Sequence, residues 1–104
     1  MKYAAIVQYT PDPSIIAKAR TAHRQYLTGL KEQNRLVISG PFGDDAGAIL
    51  VYEAENRDQV EKLITDDPFA IQGVFLAWDV RPWNVIFINE RLLCQQPGRQ
   101  GGRG

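Results

Sequence analysis

The sequence predicts an α+β fold of the ferredoxin-like type, strand–helix–strand–strand–helix–strand, with an antiparallel sheet and both helices on one face. Two kinds of hydropathy period carry that reading. Residues 2–9, 35–39, 48–54 and 74–80 are short apolar runs bounded by Gly, Pro, Asn or Asp, as strands are. Residues 13–33 and 56–66 set apolar side chains three and four apart, as amphipathic helices do. At 104 residues the chain is one domain. Its folded part is expected to span residues 1–94.

The first strand puts Ala5, Val7 and Tyr9 on one face and Ala4, Ile6 and Gln8 on the other. Thr10-Pro11-Asp12-Pro13 stops it. Asp12 is placed to cap the first helix, with Pro13 at its first position. That helix carries Ile16, Ala19, His23, Tyr26, Leu27 and Leu30 on one stripe, so His23 should point at the sheet. Arg20, Arg24 and Lys31 fall mostly away from it. Asn34 tolerates the left-handed conformation that ends the helix.

After the second strand, residues 40–47 are dense in turn formers and read as a loop. Asn56 with Gln59 resembles a capping box at the head of the second helix, which sends Val60, Leu63 and Ile64 inward. Pro68 disfavours helical backbone at Asp67, so the helix should break there, with the Asp67 carboxylate capping the turn that follows. Phe69 to Gln72 is expected as a turn closed by Gly73, and residues 81–84 as a bend leading to a fifth strand at residues 85–88. Residues 95–104 contain no apolar side chain to bury and are expected as a disordered tail.

Strands one, three and four are apolar on both faces, whereas the helices cover only one. An exposed apolar sheet face is expected to be covered by a second copy, and two-fold dimers are the commonest oligomers. Lys plus Arg and Asp plus Glu number 12 each. That balance argues against a nucleic-acid partner, which calls for a basic excess. No apolar run reaches the roughly 20 residues that span a bilayer. The apolar stretch at the N-terminus is too short for a signal peptide. Cys94 is the single cysteine, and cytoplasmic residence is the expected location. One His and one Cys do not make a metal site. No nucleotide-binding fingerprint is present, and no cofactor is expected.

Arg20 and His23, then Ser39-Gly40-Pro41, then Asp67-Pro68-Phe69, then Arg81-Pro82-Trp83 resemble, in this order and spacing, the YCII-related domain family. The resemblance covers about residues 2–85. It implies a ferredoxin-like subunit in a dimeric α+β barrel, with a pocket between helices and sheet. It also implies a His–Asp pair as the candidate active site, carried here by His23 and Asp67. One branch of the family eliminates chloride from a chlorinated hydroxyquinone. Related barrels include lactone isomerases and haem-degrading monooxygenases. The sequence departs from the usual pattern at Asn34, where family members often carry Gly, and the tail has no counterpart.

Several readings of these residues stay open at this point. His23 fits a histidine satisfied in the core, or a general acid/base oriented by the Asp67 carboxylate. Asp67 is at once a cap and a possible partner, since a carboxylate has two oxygens. No nucleophile elbow surrounds Ser39, so proton transfer is favoured over covalent catalysis. Backbone N–H groups of Ser39, Gly40 and Phe42 are candidates to hold a ligand oxygen. Arg20 is a candidate to neutralise an anionic ligand, and Pro41, Phe42, Phe69 and Trp83 to line the pocket. The expected function is a lyase or isomerase acting on a small cyclic or aromatic compound. The alternatives are a non-catalytic ligand-binding module and a haem-binding monooxygenase.

Overall fold

A computed structural model describes residues 1–94. The expectation of a disordered tail at residues 95–104 lies outside the described residues. The first strand, β1 (Lys2–Tyr9), leads into a long helix, α1 (Pro13–Glu32), and then into two strands, β2 (Leu36–Pro41) and β3 (Gly47–Glu53). A second helix, α2 (Arg57–Thr65), is followed by the short α3 (Pro68–Ile71), the last strand β4 (Phe75–Trp83) and a short α4 (Glu90–Cys94). The strands form one antiparallel sheet in the order β2-β3-β1-β4. This is the ferredoxin-like arrangement read from the hydropathy pattern.

The helix ends form as their residues require. The Asp12 carboxylate accepts from the Ser14 N–H at 2.9 Å and opens α1, with Pro13 at its start. At the other end Asn34 adopts φ 62°. The Arg35 N–H then donates to the Leu30 carbonyl and the Asn34 N–H to the Lys31 carbonyl, the Schellman pattern. Asn56 accepts from the Gln59 N–H, while the Gln59 side chain reaches back to the Glu55 N–H. The expected capping box is thus completed one residue upstream of its usual backbone donor.

Tyr3, Ala5, Val7 and Tyr9 of β1 face the helices with Ala48, Leu50 and Tyr52 of β3. They pack against Ile16, Ala19 and Leu30 of α1 and against Val60, Leu63 and Ile64 of α2. On the opposite face Ala4, Ile6, Ile38, Ile49, Val51 and Trp83 surround a groove of about 450 Å³. Ile6 and Ile49 are Cα partners across β1 and β3, and both lie on this open face.

Four expectations need correction. Residues 40 and 41 are strand, not loop, because the β2–β3 ladder continues through Gly40 and Pro41 opposite Ile49 and Ala48. Residues 81–83 do not bend away: Arg81, Pro82 and Trp83 stay paired with Ala4, Tyr3 and Lys2. β4 is an edge strand, and an edge tolerates a proline that has no N–H to give. The fifth strand at residues 85–88 does not form, and Ile86 and Phe87 stand exposed. A register shift between Gln8 and Tyr9 also slips the faces of β4. Phe75 and Val80 pack inward, and the open face of β4 carries Asp79 and Arg81 between Ala77 and Trp83, so it is less apolar than expected.

Gly47 shows how closely β3 approaches β1. A Cβ built there would lie 2.1 Å from the Val7 carbonyl oxygen, a backbone atom with no side-chain freedom to yield. Gly47→Ala is expected to lower stability by about 1–3 kcal/mol, the usual cost of forcing backbone shifts in a packed region. Gly40→Ala, with open space at its Cβ, serves as the control for strand propensity. Equal denaturation midpoints for the two variants would show that the strands part without cost.

Candidate active site

His23 lies on the buried stripe of α1, and Asp67 lies at the break between α2 and α3. The break follows from Pro68, which leaves Asp67 in extended backbone at ψ 133° and starts α3 at its own position. The Asp67 carboxylate folds over that new helix start, and its Oδ1 accepts the Phe69 N–H at 2.8 Å. The same oxygen lies 2.7 Å from His23 Nδ1. Capping and pairing therefore use one oxygen, not one each.

The pair is buried. Asp67 is fully shielded and His23 is 8 % exposed. The Phe69 ring stacks face to face on the imidazole, with centroids 3.7 Å apart and planes within 1°. Phe69 is itself held edge-on by Tyr9 and Phe75. The imidazole is thus fixed in plane by an aromatic face and in rotation by a carboxylate. Because the carboxylate oxygen accepts, the neutral ring must carry its proton on Nδ1, leaving Nε2 as the basic nitrogen. Among the described residues Nε2 has no hydrogen-bond partner, and it is not one of the fully enclosed polar atoms.

Two clefts meet at this ring. One, of about 390 Å³, runs between α1 and β2 past Arg24, Thr28, Lys31, Ser39 and Pro41. The other, of about 570 Å³, is lined by Arg20, Arg24, Pro41, Phe42, Asp45 and Phe69. Tyr9, His23, Arg24 and Pro41 belong to both. Both volumes fall in the range of small-molecule pockets. Burial pushes the Tyr9 hydroxyl above its usual pKa, reinforced by the charges of Asp67 and Asp45 and opposed by Arg20 and Arg24. The cleft wall therefore mixes an aromatic floor with two guanidinium groups.

Of the residues expected at the site, His23, Asp67 and Phe69 form its centre. Arg20, Ser39, Gly40, Pro41 and Phe42 line the clefts. Trp83 is not brought there: it lines the groove on the far face of the sheet. The backbone reading of residues 39–42 is also reduced. The Phe42 N–H donates to the Gly47 carbonyl at 2.8 Å, and Gly40 is part of the ladder. No hydrogen bond joins Ser39 to His23 among the described residues. Tyr9 and Arg24 were not singled out from sequence. Alternation in β1 put Tyr9 on one face with Ala5 and Val7, and the structure turns that face to the helices. Arg24 follows His23 directly and lines both clefts.

No helix among the described residues is long and apolar enough to cross a membrane. Among the same residues no three His, Cys, Asp or Glu side chains come together as a metal-ion site would require.

A ferredoxin-like α+β domain with a buried His–carboxylate contact at a cleft is the class that fold and site define. The profile of the YCII-related domain family matches residues 1–84, and the chain belongs to that family. Among solved structures it is similar to 5-chloro-2-hydroxyhydroquinone dehydrochlorinase (TftG) from Burkholderia phenoliruptrix AC1100, in complex with 2,5-dihydroxybenzoquinone. The two share 29 % identity over 81 % of this chain and 94 % of that one, with a TM-score of 0.71. No curated protein matches the chain.

The shared oxygen makes a specific expectation. In ring ¹⁵N spectra of the neutral protein, His23 should show a protonated Nδ1 and a basic Nε2. Asp67→Asn should keep that tautomer, because the Phe69 N–H selects the amide oxygen for the Oδ1 position. A wild-type ring with its proton on Nε2 would contradict the contact as described.

Proposed function

We propose that His23 and Asp67 form a general acid/base site of lyase or isomerase type, acting on a small cyclic or aromatic compound that bears an acidic oxygen. The observation that carries the proposal is the 2.7 Å contact between His23 Nδ1 and Asp67 Oδ1, with Nε2 unpartnered at the junction of two clefts. In this reading Nε2 takes a proton from the substrate, and the buried carboxylate stabilises the imidazolium that forms. The electron pair released by deprotonation either expels a leaving group from a neighbouring atom or is reprotonated elsewhere on the ring. Arg20 and Arg24 offset the negative charge left on the substrate oxygen. The partly exposed Phe42 ring suits an aromatic or quinonoid ring.

The related dehydrochlorinase supports the substrate class, since its name describes loss of hydrogen chloride from a chlorinated hydroxyhydroquinone and its structure holds a dihydroxybenzoquinone. A panel of halogenated hydroxyquinols, hydroxyquinones and small lactones, assayed with wild type and His23→Ala, tests the reading. Turnover is expected with wild type and is expected to be lost in His23→Ala. Asp67→Asn should retain the fold and lose about tenfold or more in kcat, because the imidazolium loses its compensating charge. Turnover undiminished in His23→Ala would remove the histidine from the chemistry. Binding without turnover across the panel would instead favour a ligand-binding module.

The functional unit proposed here is a homodimer closed through the open sheet faces into an α+β barrel. Support comes from the apolar groove around Ile6, Ile49 and Trp83, whose exposed side chains a second copy would cover. Either Ile6→Glu or Ile49→Glu places a charge at that face and should dissociate the dimer. Light scattering at micromolar protein checks this, and a monodisperse wild-type monomer would exclude it.

A further inference from the structure

The two clefts that meet at His23 differ in charge. The larger, of about 570 Å³, is lined by Arg20 and Arg24 but also by Asp45. The smaller, of about 390 Å³, is lined by Arg24 and Lys31 and by no acidic side chain. Among the described residues neither Arg24 nor Lys31 forms an ion pair; those present are made by the Met1 amine, Lys2, His23 and Lys62. Two cations without a counter-charge thus stand over a floor of Tyr9, Leu27, Leu36 and Leu50. Such a cleft attracts an anion.

Helix geometry fixes where that anion sits. His23 and Leu30 lie on the buried stripe of α1, with Leu27 packed beside them. Arg24, Thr28 and Lys31 repeat the same spacing one position on, so they form the adjacent row along the cleft wall. At about 1.5 Å of rise per residue, Arg24 and Lys31 are about 10 Å apart along the axis, and Thr28 between them is about 7–8 Å from His23. A six-membered ring with a short side arm spans that interval. The Thr28 hydroxyl donates to the Arg24 carbonyl at 2.9 Å and so gives its proton to the helix. On the facing wall β2 brings the Ser39 hydroxyl, a further donor. None of the lining residues begins a helix, so the cluster of backbone N–H groups that favours a phosphate is missing, and a carboxylate is the better match.

The geometry points to the cleft between α1 and β2 as a carboxylate subsite: the substrate is a ring compound with a carboxylate on a short side arm, held between Arg24 and Lys31 while the ring lies at His23 Nε2. This deepens the function proposed above and rests on it for the chemistry at the ring, but binding of the arm needs no turnover. Arg24 lines both clefts and serves ring and arm together. Lys31 lines only the smaller one and therefore sets the preference for an acid over a neutral ring. Lys31 also lies in the last turn of α1, where a cation suits the helix dipole. That role acts on stability and does not distinguish one ligand from another.

The test is a set of matched ligands: 2,5-dihydroxybenzoate, 2,5-dihydroxyphenylacetate and 3-(2,5-dihydroxyphenyl)propanoate, each against its methyl ester. Affinity is read from the ring-proton shifts of His23, the single histidine, at neutral pH. At least one acid should bind wild type about three- to tenfold more tightly than its ester, the range expected for partly exposed charges. Lys31→Gln should lower that ratio by about threefold. Lys18→Gln is the control: it removes the same charge from α1 at a position that borders neither cleft, and its ratio should equal that of wild type. Equal affinity for acid and ester in all three pairs overturns the inference. So does a ratio unchanged by Lys31→Gln, or one lowered as much by Lys18→Gln. Failure of every acid to shift the His23 resonances at millimolar concentration overturns it as well. Because turnover is not measured, an acid preference in a protein that converts none of these compounds would uphold the subsite and count only against the lyase or isomerase reading.

Discussion

One oxygen atom joins the first helix of this molecule to the turn after the second. Asp67 Oδ1 takes the Phe69 N–H, which starts α3, and meets His23 Nδ1, which projects from α1. The contact spans 44 residues of sequence and holds the first helix against the turn after the second. Phe69 serves both halves: its backbone is capped by the carboxylate, and its ring lies flat on the imidazole the carboxylate meets. Loosening Pro68, Asp67 or Phe69 would therefore disturb the local turn and the histidine together. This differs from a site in which capping and orientation are served by separate side chains.

The sheet divides the molecule by chemistry. Toward the helices it presents a packed core ending at the clefts, where Tyr9 from β1 and Ser39 and Pro41 from β2 meet the polar side of α1. Arg20, Arg24 and Lys31 fall mostly away from the buried stripe by helical period, yet they border the clefts. Cationic side chains thus border the buried His23–Asp67 pair without entering the core, where their desolvation would be expensive. Away from the helices the sheet is apolar at its centre and charged along β4, as an interface core with a polar rim would be.

The family relationship and the site geometry bear on different questions. The family profile reaches residue 84, to the end of β4, and so covers every element that builds the site. The similarity to a dehydrochlorinase narrows the chemistry worth testing. The contact between His23 and Asp67, and the open Nε2, stand on the geometry of this chain alone.

Local rules were sufficient for much of this structure. Helix stripes, the Asp12 and Asn56 caps, the Asn34 terminus and the Pro68 break all follow from backbone sterics and hydrogen bonding within a few residues, and each formed where the residues called for it. By the same means His23 was legible as inward-facing and Asp67 as a cap. Their contact was inferred, not legible, because it needs the packing of two helices on one sheet. Where a neighbouring strand supplies the decisive bonds, local reading fell short. Gly40 and Pro41 look like a loop but pair with β3, and Pro82 looks like a break but lies on a sheet edge that has no use for its N–H. Trp83 was drawn to the site by its neighbours in sequence and sent to the opposite face by register. The chain alone determined its elements, their order and an inward histidine. Only the tertiary structure decided that cap and pair share one oxygen and that Tyr9 and Arg24 border the clefts, because these depend on helix packing, strand register and burial, which no short-range pattern encodes.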